Sequence, residues 1–287
     1  MNCTRFIWIG IFSLLIILIV SGCAEQQFAS EPVREPSEDP AITVEAVDRE
    51  SKIPADTVKK TPETDAYPPQ LHSDEYAEPV PMPYPINTAG AEDSGFMMPD
   101  GNTFYVWFPP NPNASLQEQL ADGVTGIYVS RKVNGAWQQL ERVVLQDSDK
   151  QSLDGCAFVQ DCTIWFCTAR TGYTGLHWFT ANFADGKWGK WENADFNPEY
   201  EVGELHITAD GQELYFHSSR AGGKGQYDIW VSKNESGYWL PPQNIEVVNS
   251  PEIDGWPSLT QEGNELWFTR FYMGSPAIFR SKRVNDE

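Results

Sequence analysis

One unit recurs four times along this chain, and it restricts the fold more than any other feature. It is clearest at residues 203–239, GELHITADGQELYFHSSRAGGKGQYDIWVSKNESGYW. Two runs of alternating character, 205–208 and 213–217, flank Asp210-Gly211. Asp-Gly supplies the positive φ angles of a tight hairpin, so the two runs are expected to pair as antiparallel strands. A third run at 227–233, a second turn at Glu235-Ser236-Gly237, Trp239 and a fourth run at 244–248 complete the unit.

The same order of signals appears in three other places. Near the C-terminal end, Asp254-Gly255-Trp256-Pro257-Ser258-Leu259-Thr260 leads to Glu262-Gly263, then to runs at 265–270 and 277–283. Upstream, Phe96-Met97-Met98 leads to Asp100-Gly101, to 103–107 and 126–133, and to Asn134-Gly135 before Trp137. Between them lies a copy with runs at 156–159, 164–168 and 176–181 and a turn at Asp161-Cys162, where Cys162 replaces the glycine of the other copies. The last three turn positions, Cys162, Gly211 and Gly263, follow one another at 49 and 52 residues. Four short strands at that period read as a propeller blade.

The expected fold is therefore all-β: a β-propeller of four antiparallel, four-stranded blades over residues 81–287. The last copy stops near Val284, before its outer strand. Pro85-Ile86-Asn87-Thr88 resembles Val247-Val248-Asn249-Ser250, and each segment lies at the same distance from the glycine of the following turn. The N-terminal segment is thus expected to provide the missing strand and close the ring, which removes exposed sheet edges. A fifth blade would have to come from the preceding arm, which has no turn signature.

Leu214-Tyr215-Phe216-His217-Ser218-Ser219-Arg220 and Asp228-Ile229-Trp230-Val231-Ser232 carry a resemblance to the TolB-type propeller repeat, a relative of WD repeats. The resemblance covers about 83–284 and implies the fold. Propellers serve as binding modules, scaffolds, hydrolases and lyases, so it implies no single activity.

The N-terminus has Arg5, an apolar run at 6–20, and Ser21-Gly22-Cys23. This pattern reads as a signal peptide, residues 1–22, to be removed on export. Val20-Ser21-Gly22-Cys23 resembles the lipobox of prokaryotic lipoproteins, which implies that Cys23 is acylated and holds the protein to a membrane, with two or more acyl chains for a stable anchor. Residues 23–80 are rich in Glu, Asp and Pro and have no sustained apolar period, so they are expected to form a solvated tether. The net charge of −21 lacks the clustered Lys and Arg that phosphate contacts require and argues against nucleic acid as a partner.

Several residues are candidates for function. Asp93, Asp154, Glu204 and Asp254 each stand just before an innermost strand, aligned to within a residue, and a ring of carboxylates at the channel mouth would suit Ca2+ or a cationic ligand. The alternative is that each acid fixes blade packing. Arg170, Arg220 and Arg270 recur after the second strand, either to grip a carboxylate-bearing ligand or to pair with the blade acids. Trp107, Tyr173, Trp256 and Tyr272 are candidates for stacking on sugar rings, against a role in the core between blades. Long connections at 109–125, 221–225 and 271–274 are where binding usually resides on a rigid scaffold. Cys156 and Cys167 lie equidistant from the Asp161-Cys162 turn and, in an exported domain, form either a disulfide or two buried thiols.

His177, His206 and His217 have no metal-ligand spacing and read as core or surface histidines. No G-x-S-x-G, H-E-x-x-H, phosphate loop or nicotinamide fingerprint occurs. The sequence points to an exported, membrane-anchored module that binds or assembles with a protein or glycan of the cell envelope. The alternative is a carbohydrate-active hydrolase or lyase that uses the channel-mouth carboxylates.

Overall fold

The computed structural model describes residues 48–145, 151–170, 172–173, 175–195 and 202–284. The signal segment, Cys23 and the first half of the acidic arm lie outside the described residues. Four antiparallel sheets follow one another in chain order as the blades of a four-bladed β-propeller. The first contains β1 (Asp93–Met97), β2 (Thr103–Phe108) and β3 (Gly126–Val133), with the short strands β4 (Ala136–Trp137) and β5 (Glu141–Arg142) both on β3. The second contains β6 (Ser152–Gln160), β7 (Thr163–Arg170) and β8 (His177–Ala184), with β9 (Lys187–Trp188) and β10 (Glu192–Asn193) on β8. The third repeats this with β11 (Leu205–Ile207), β12 (Glu213–Ser218), β13 (Asp228–Glu235), β14 (Tyr238–Trp239) and β15 (Gln243–Asn244). In these blades the outer strand is split into two short pieces. The fourth blade consists of β16 (Asp254–Leu259), β17 (Glu265–Tyr272) and β18 (Ser275–Lys282).

Alternation along the strands sends successive side chains to opposite faces, and the facing sides of successive blades pack together. Tyr105, Ile127 and Val129 of the first blade pack with Ile164, Phe166 and Phe179 of the second. Phe158 and Trp178 pack with Leu214, Phe216 and Trp230 of the third, whose opposite face puts Tyr215 and Ile229 against Leu266 and Phe268 of the fourth. At about 1.5–3 kcal/mol for each large side chain removed from water, these seams are the main source of stability. The innermost strands surround an axial cavity of about 480 Å³ on the face of the Asp-Gly turns, lined by Phe96, Phe158, His206 and Leu259, one residue from each blade. The opposite, loop face carries the connections between second and third strands. One of these, the insertion at 109–125, contains α1 (Leu116–Ala121), whose start is fixed by a capping box between Ser115 and Glu118.

The segment 83–88 takes a different form from the closing strand expected of it. Its backbone makes a turn in which the Ile86 and Asn87 N–H groups donate to the Pro83 carbonyl at 3.0 and 3.3 Å. Val248 and Asn249 donate to the Ile245 carbonyl in the same way, at 3.0 and 3.2 Å. The sequence likeness is real, but the shared feature is the connector that leads into an innermost strand. Pro79, Pro81, Pro83 and Pro85 remove the N–H donors that a ladder on the fourth blade would need.

The second half of the acidic arm is fastened to the blades. Arg49, in a short 3₁₀ helix at Arg49–Lys52, is only 6% exposed. It donates to the Pro85 and Ile86 carbonyls at 2.6 and 2.9 Å and to Glu92 Oε1 at 3.1 Å. Its guanidinium lies 4.4 Å from the centre of the Phe108 ring. Ile53 covers the outer face of the first blade beside it. Farther along, Arg280 binds Glu75 at 2.8 Å and Tyr76 packs edge-on against Trp267.

Candidate functional site

In three of the four blades the innermost strand carries a β-bulge near its start, and the bulge changes which residues lie opposite the second strand. In β1, β6 and β16 the pairing register shifts between Asp93 and Phe96, Gly155 and Phe158, and Gly255 and Ser258. Ser94, Cys156 and Trp256 take up the extra residue at positive φ, 49°, 54° and 54°. Downstream of the bulge, Met97, Val159, Ile207 and Leu259 pair with equivalent residues of the second strand, Phe104, Ile164, Leu214 and Leu266. Counting back from these anchors separates the four candidate acids. Asp154 and Asp254 fall five residues before the anchor, where the first blade has Glu92 and the third Val202. Asp93 falls four residues before it and Glu204 three. The expected ring of equivalent carboxylates is therefore not formed, because an offset of one residue redirects the side chain.

The acids at the first position are internal fasteners. Asp154 and Arg170 are bonded at 2.6 Å with side chains 3% and 4% exposed. Asp254 is fully buried; its Oδ1 accepts from Arg270 Nε at 2.6 Å and its Oδ2 from the Ser250 N–H and hydroxyl at 2.7 Å each. Arg270 also donates to the Val248 carbonyl. In the first blade Glu92 accepts from the Thr88 N–H and hydroxyl in the same way, but Phe108 occupies the strand position of Arg270 and Arg49 supplies the guanidinium from the N-terminal arm. The guanidiniums of Arg170, Arg220 and Arg270 also lie over core rings, at 4.4 Å from Trp191, 4.7 Å from Phe216 and 4.8 Å from Phe279. Of the two roles open to these arginines, Arg170 and Arg270 pair with blade acids.

Glu204 has a different environment. By count it matches Ser94, Cys156 and Trp256, but β11 pairs with β12 without a register shift and Glu204 immediately precedes the strand. The Ser94 hydroxyl reaches it from the first blade, donating to Oε1 at 3.0 Å. Its side chain remains 23% exposed, and His217 Nε2 stands 3.7 Å from Oε2. Removal from water pushes the Glu204 carboxyl above the usual carboxylate range, and the charge of Asp93 adds to the rise. Asp93 is exposed and accepts from the N–H of its own neighbour, Ser94, at 2.7 Å.

His217 was passed over in the sequence because its spacing matches no ligand set, and only the fold brings it to Glu204. Its Nδ1 accepts from the Trp256 N–H at 3.2 Å, so the neutral ring carries its proton on Nε2, toward Glu204. Burial lowers its pKa to about 4. Two glycines make room for it: a Cβ at Gly203 would lie 2.2 Å from Nε2, and one at Gly255 would lie 3.3 Å from Cγ.

The aromatic candidates divide. Trp256, 42% exposed, stacks at a tilt on His217 with centroids 5.2 Å apart. Tyr272 is 56% exposed at the end of β17, between Phe271 and the turn residue Met273. Tyr173 instead packs edge-on against Phe179 at 4.9 Å, and Trp107 lies half-buried against Gly155 of the second blade. Cys156 and Cys167 are joined in a disulfide, with Cα atoms 5.4 Å apart. Equal spacing from the turn implied that they face one another. The bulge instead sets Gly155 opposite Cys167 and turns Cys156 toward it from the next position. Among the described residues no group of three or more His, Cys, Asp and Glu side chains stands together to hold a metal ion.

No protein-family profile and no curated protein matches this sequence. Solved structures do. TolB from Acinetobacter baumannii is 12% identical over 68% of this chain and 42% of that one, with a TM-score of 0.44. A putative TolB from Agrobacterium tumefaciens is 12% identical over 68% of this chain and 78% of that one, with a TM-score of 0.39. The gluconolactonase XC5397 from Xanthomonas campestris is 15% identical over 61% of this chain and 52% of that one, with a TM-score of 0.40. The chain thus spans less than two thirds of the first and third of these proteins. The protein is a four-bladed β-propeller, and the solved structures it resembles in fold include TolB-type propellers.

Proposed function

We propose that this protein is a lipid-anchored envelope module that binds a cell-surface protein or glycan with the loop face of its propeller. The observation that carries this reading is the division of side chains between the blades and that face. Asp154, Arg170, Asp254 and Arg270 neutralise one another inside the blades. The loop face keeps Trp256, Phe271, Tyr272 and Met273 exposed at 42%, 37%, 56% and 89%. Exposed aromatic residues on a rigid frame bury large areas at small entropic cost when a partner docks.

The test is capture of envelope components by the purified domain, with Tyr272→Ala as the control variant. The variant should retain less than about a tenth of the bound partner, as expected for loss of an aromatic hot spot, with an unchanged melting temperature. Equal capture by both forms would contradict the reading. Acylation of Cys23 predicts that Cys23→Ser moves the protein from the membrane to the soluble fraction; persistence at the membrane would count against the anchor.

One observation favours a second reading, a hydrolase or lyase. Glu204 combines a raised pKa with a histidine 3.7 Å away, as a general acid requires. Asp154 and Asp254 are committed to arginines, so this reading rests on Glu204. Turnover of an oligosaccharide by the native protein, abolished in Glu204→Gln, would replace the binding reading.

A further inference from the structure

Ser94, Cys156 and Trp256 each take up the bulge of their strand at positive φ, whereas β11 pairs without a register shift and Glu204 stands just before it. The side chains three positions before the strand anchors thus differ from blade to blade, and on a repeating frame a ligand site uses such differences. Ser94 and Glu204 already meet across the propeller axis at 3.0 Å.

The donors and acceptors left open at this mouth define the ligand. Glu204 and Asp93 carry acceptor oxygens, and neither is within ion-pair distance of a Lys or Arg among the described residues, in contrast to Glu92, Asp154 and Asp254. His217, with a side chain nine-tenths buried, aims its Nε2 proton into the same space; at 3.7 Å from Glu204 Oε2 it has no hydrogen-bond partner there. The gap suits an atom that accepts from the histidine and donates to the carboxylate. A hydroxyl does both, whereas an ammonium cannot accept and a carboxylate cannot donate. Trp256 supplies a half-exposed ring beside the polar groups.

We propose that the axial mouth at Ser94, Glu204, His217 and Trp256 is a binding site for a neutral saccharide, with one sugar hydroxyl bridging His217 Nε2 and Glu204 and the ring stacked on Trp256. This rests on the binding reading above and names the ligand class. Unneutralised Asp93 and Glu204, on a chain of net charge −21, exclude uronate-containing and other acidic glycans from the same place.

The test is calorimetry and array binding with the full mature chain. The probes are neutral oligosaccharides of glucose, mannose, galactose and xylose, set against oligogalacturonate and alginate fragments. Binding is expected to at least one neutral series and to neither acidic one. Glu204→Gln should weaken it ten- to a hundred-fold, the loss expected when a charge-assisted hydrogen bond becomes a neutral one. Trp256→Ala should weaken it at least ten-fold while the protein stays folded. The His217 Nε2 proton resonance should shift on addition of the sugar. Preference for the acidic glycans, or neutral binding that survives both substitutions, would overturn the proposal. Capture of a polypeptide partner with no saccharide binding would overturn it and leave the binding reading standing. The absence of any captured component would remove both.

Discussion

Arg49→Ala should destabilise the propeller by about 3–5 kcal/mol, the cost of leaving a buried charge without its partner. Nothing in the local sequence marks this residue as structural; it lies in an acidic, Pro-rich stretch 43 positions from Glu92. In the folded chain it reproduces Arg270: a guanidinium that binds the blade's first carboxylate and the carbonyl of the connector before it. Glu92 is 15% exposed at the ion pair and would be left with only the Thr88 donors. Removal of residues 1–80 should have the same effect, since it also uncovers Phe108 and Val106, which pack with Ile53. Urea unfolding of the native domain, Arg49→Ala and a chain beginning at Pro81 measures this. A difference below about 1 kcal/mol, the scale of an exposed ion pair, would show that the arm is only a tether.

The second large effect is loss of stability in mild acid. Burial holds His206 and His217 near pKa 4, against 6.5 for an unperturbed histidine. Below pH 6.5 the unfolded chain takes up protons that the folded chain does not. Stability is therefore full above that value and falls as pH drops toward 4. Each histidine contributes at most about 1.4 kcal/mol per pH unit, a slope approached only well below 6.5, so the two together cost roughly 3 kcal/mol between pH 6.5 and 5. Glu204 works in the opposite sense: its raised pKa lets the folded form take up a proton before the unfolded chain, which offsets part of the loss. His206 packs between Phe158, at 4.9 Å, and Phe96, at 6.3 Å. His206→Phe should keep these contacts and remove about half of the pH dependence. An unchanged slope in this variant would show that His206 does not titrate in the unfolding reaction.

The fold could be read from the sequence because its signals are local. Asp-Gly turns and two-residue alternation place the strands of the fourth blade within a few residues of where they are found, and the Pro85-Ile86-Asn87-Thr88 likeness identifies a true structural equivalence. Its assignment as a strand failed because neighbouring prolines cannot donate to a ladder. The site was less readable. A bulge adds one residue without any composition signal, so aligning Asp93, Asp154, Glu204 and Asp254 to within a residue joined three different positions. Ser94 and Glu204 are 110 residues apart, and only the ring brings them together.

The proposed site divides the acids of the blades into fasteners, Asp154 and Asp254 on their arginines, and Glu204, assigned to recognition. Equilibrium unfolding of Asp254→Asn beside Glu204→Gln at neutral pH tests this division most directly. Asp254→Asn should cost about 3–5 kcal/mol, because Arg270 is left without its anion. Glu204→Gln should change stability by less than about 1 kcal/mol or increase it, as expected when a desolvated charge kept for function is removed. A loss in Glu204→Gln as large as that in Asp254→Asn would make Glu204 another fastener and contradict its assignment to the binding face.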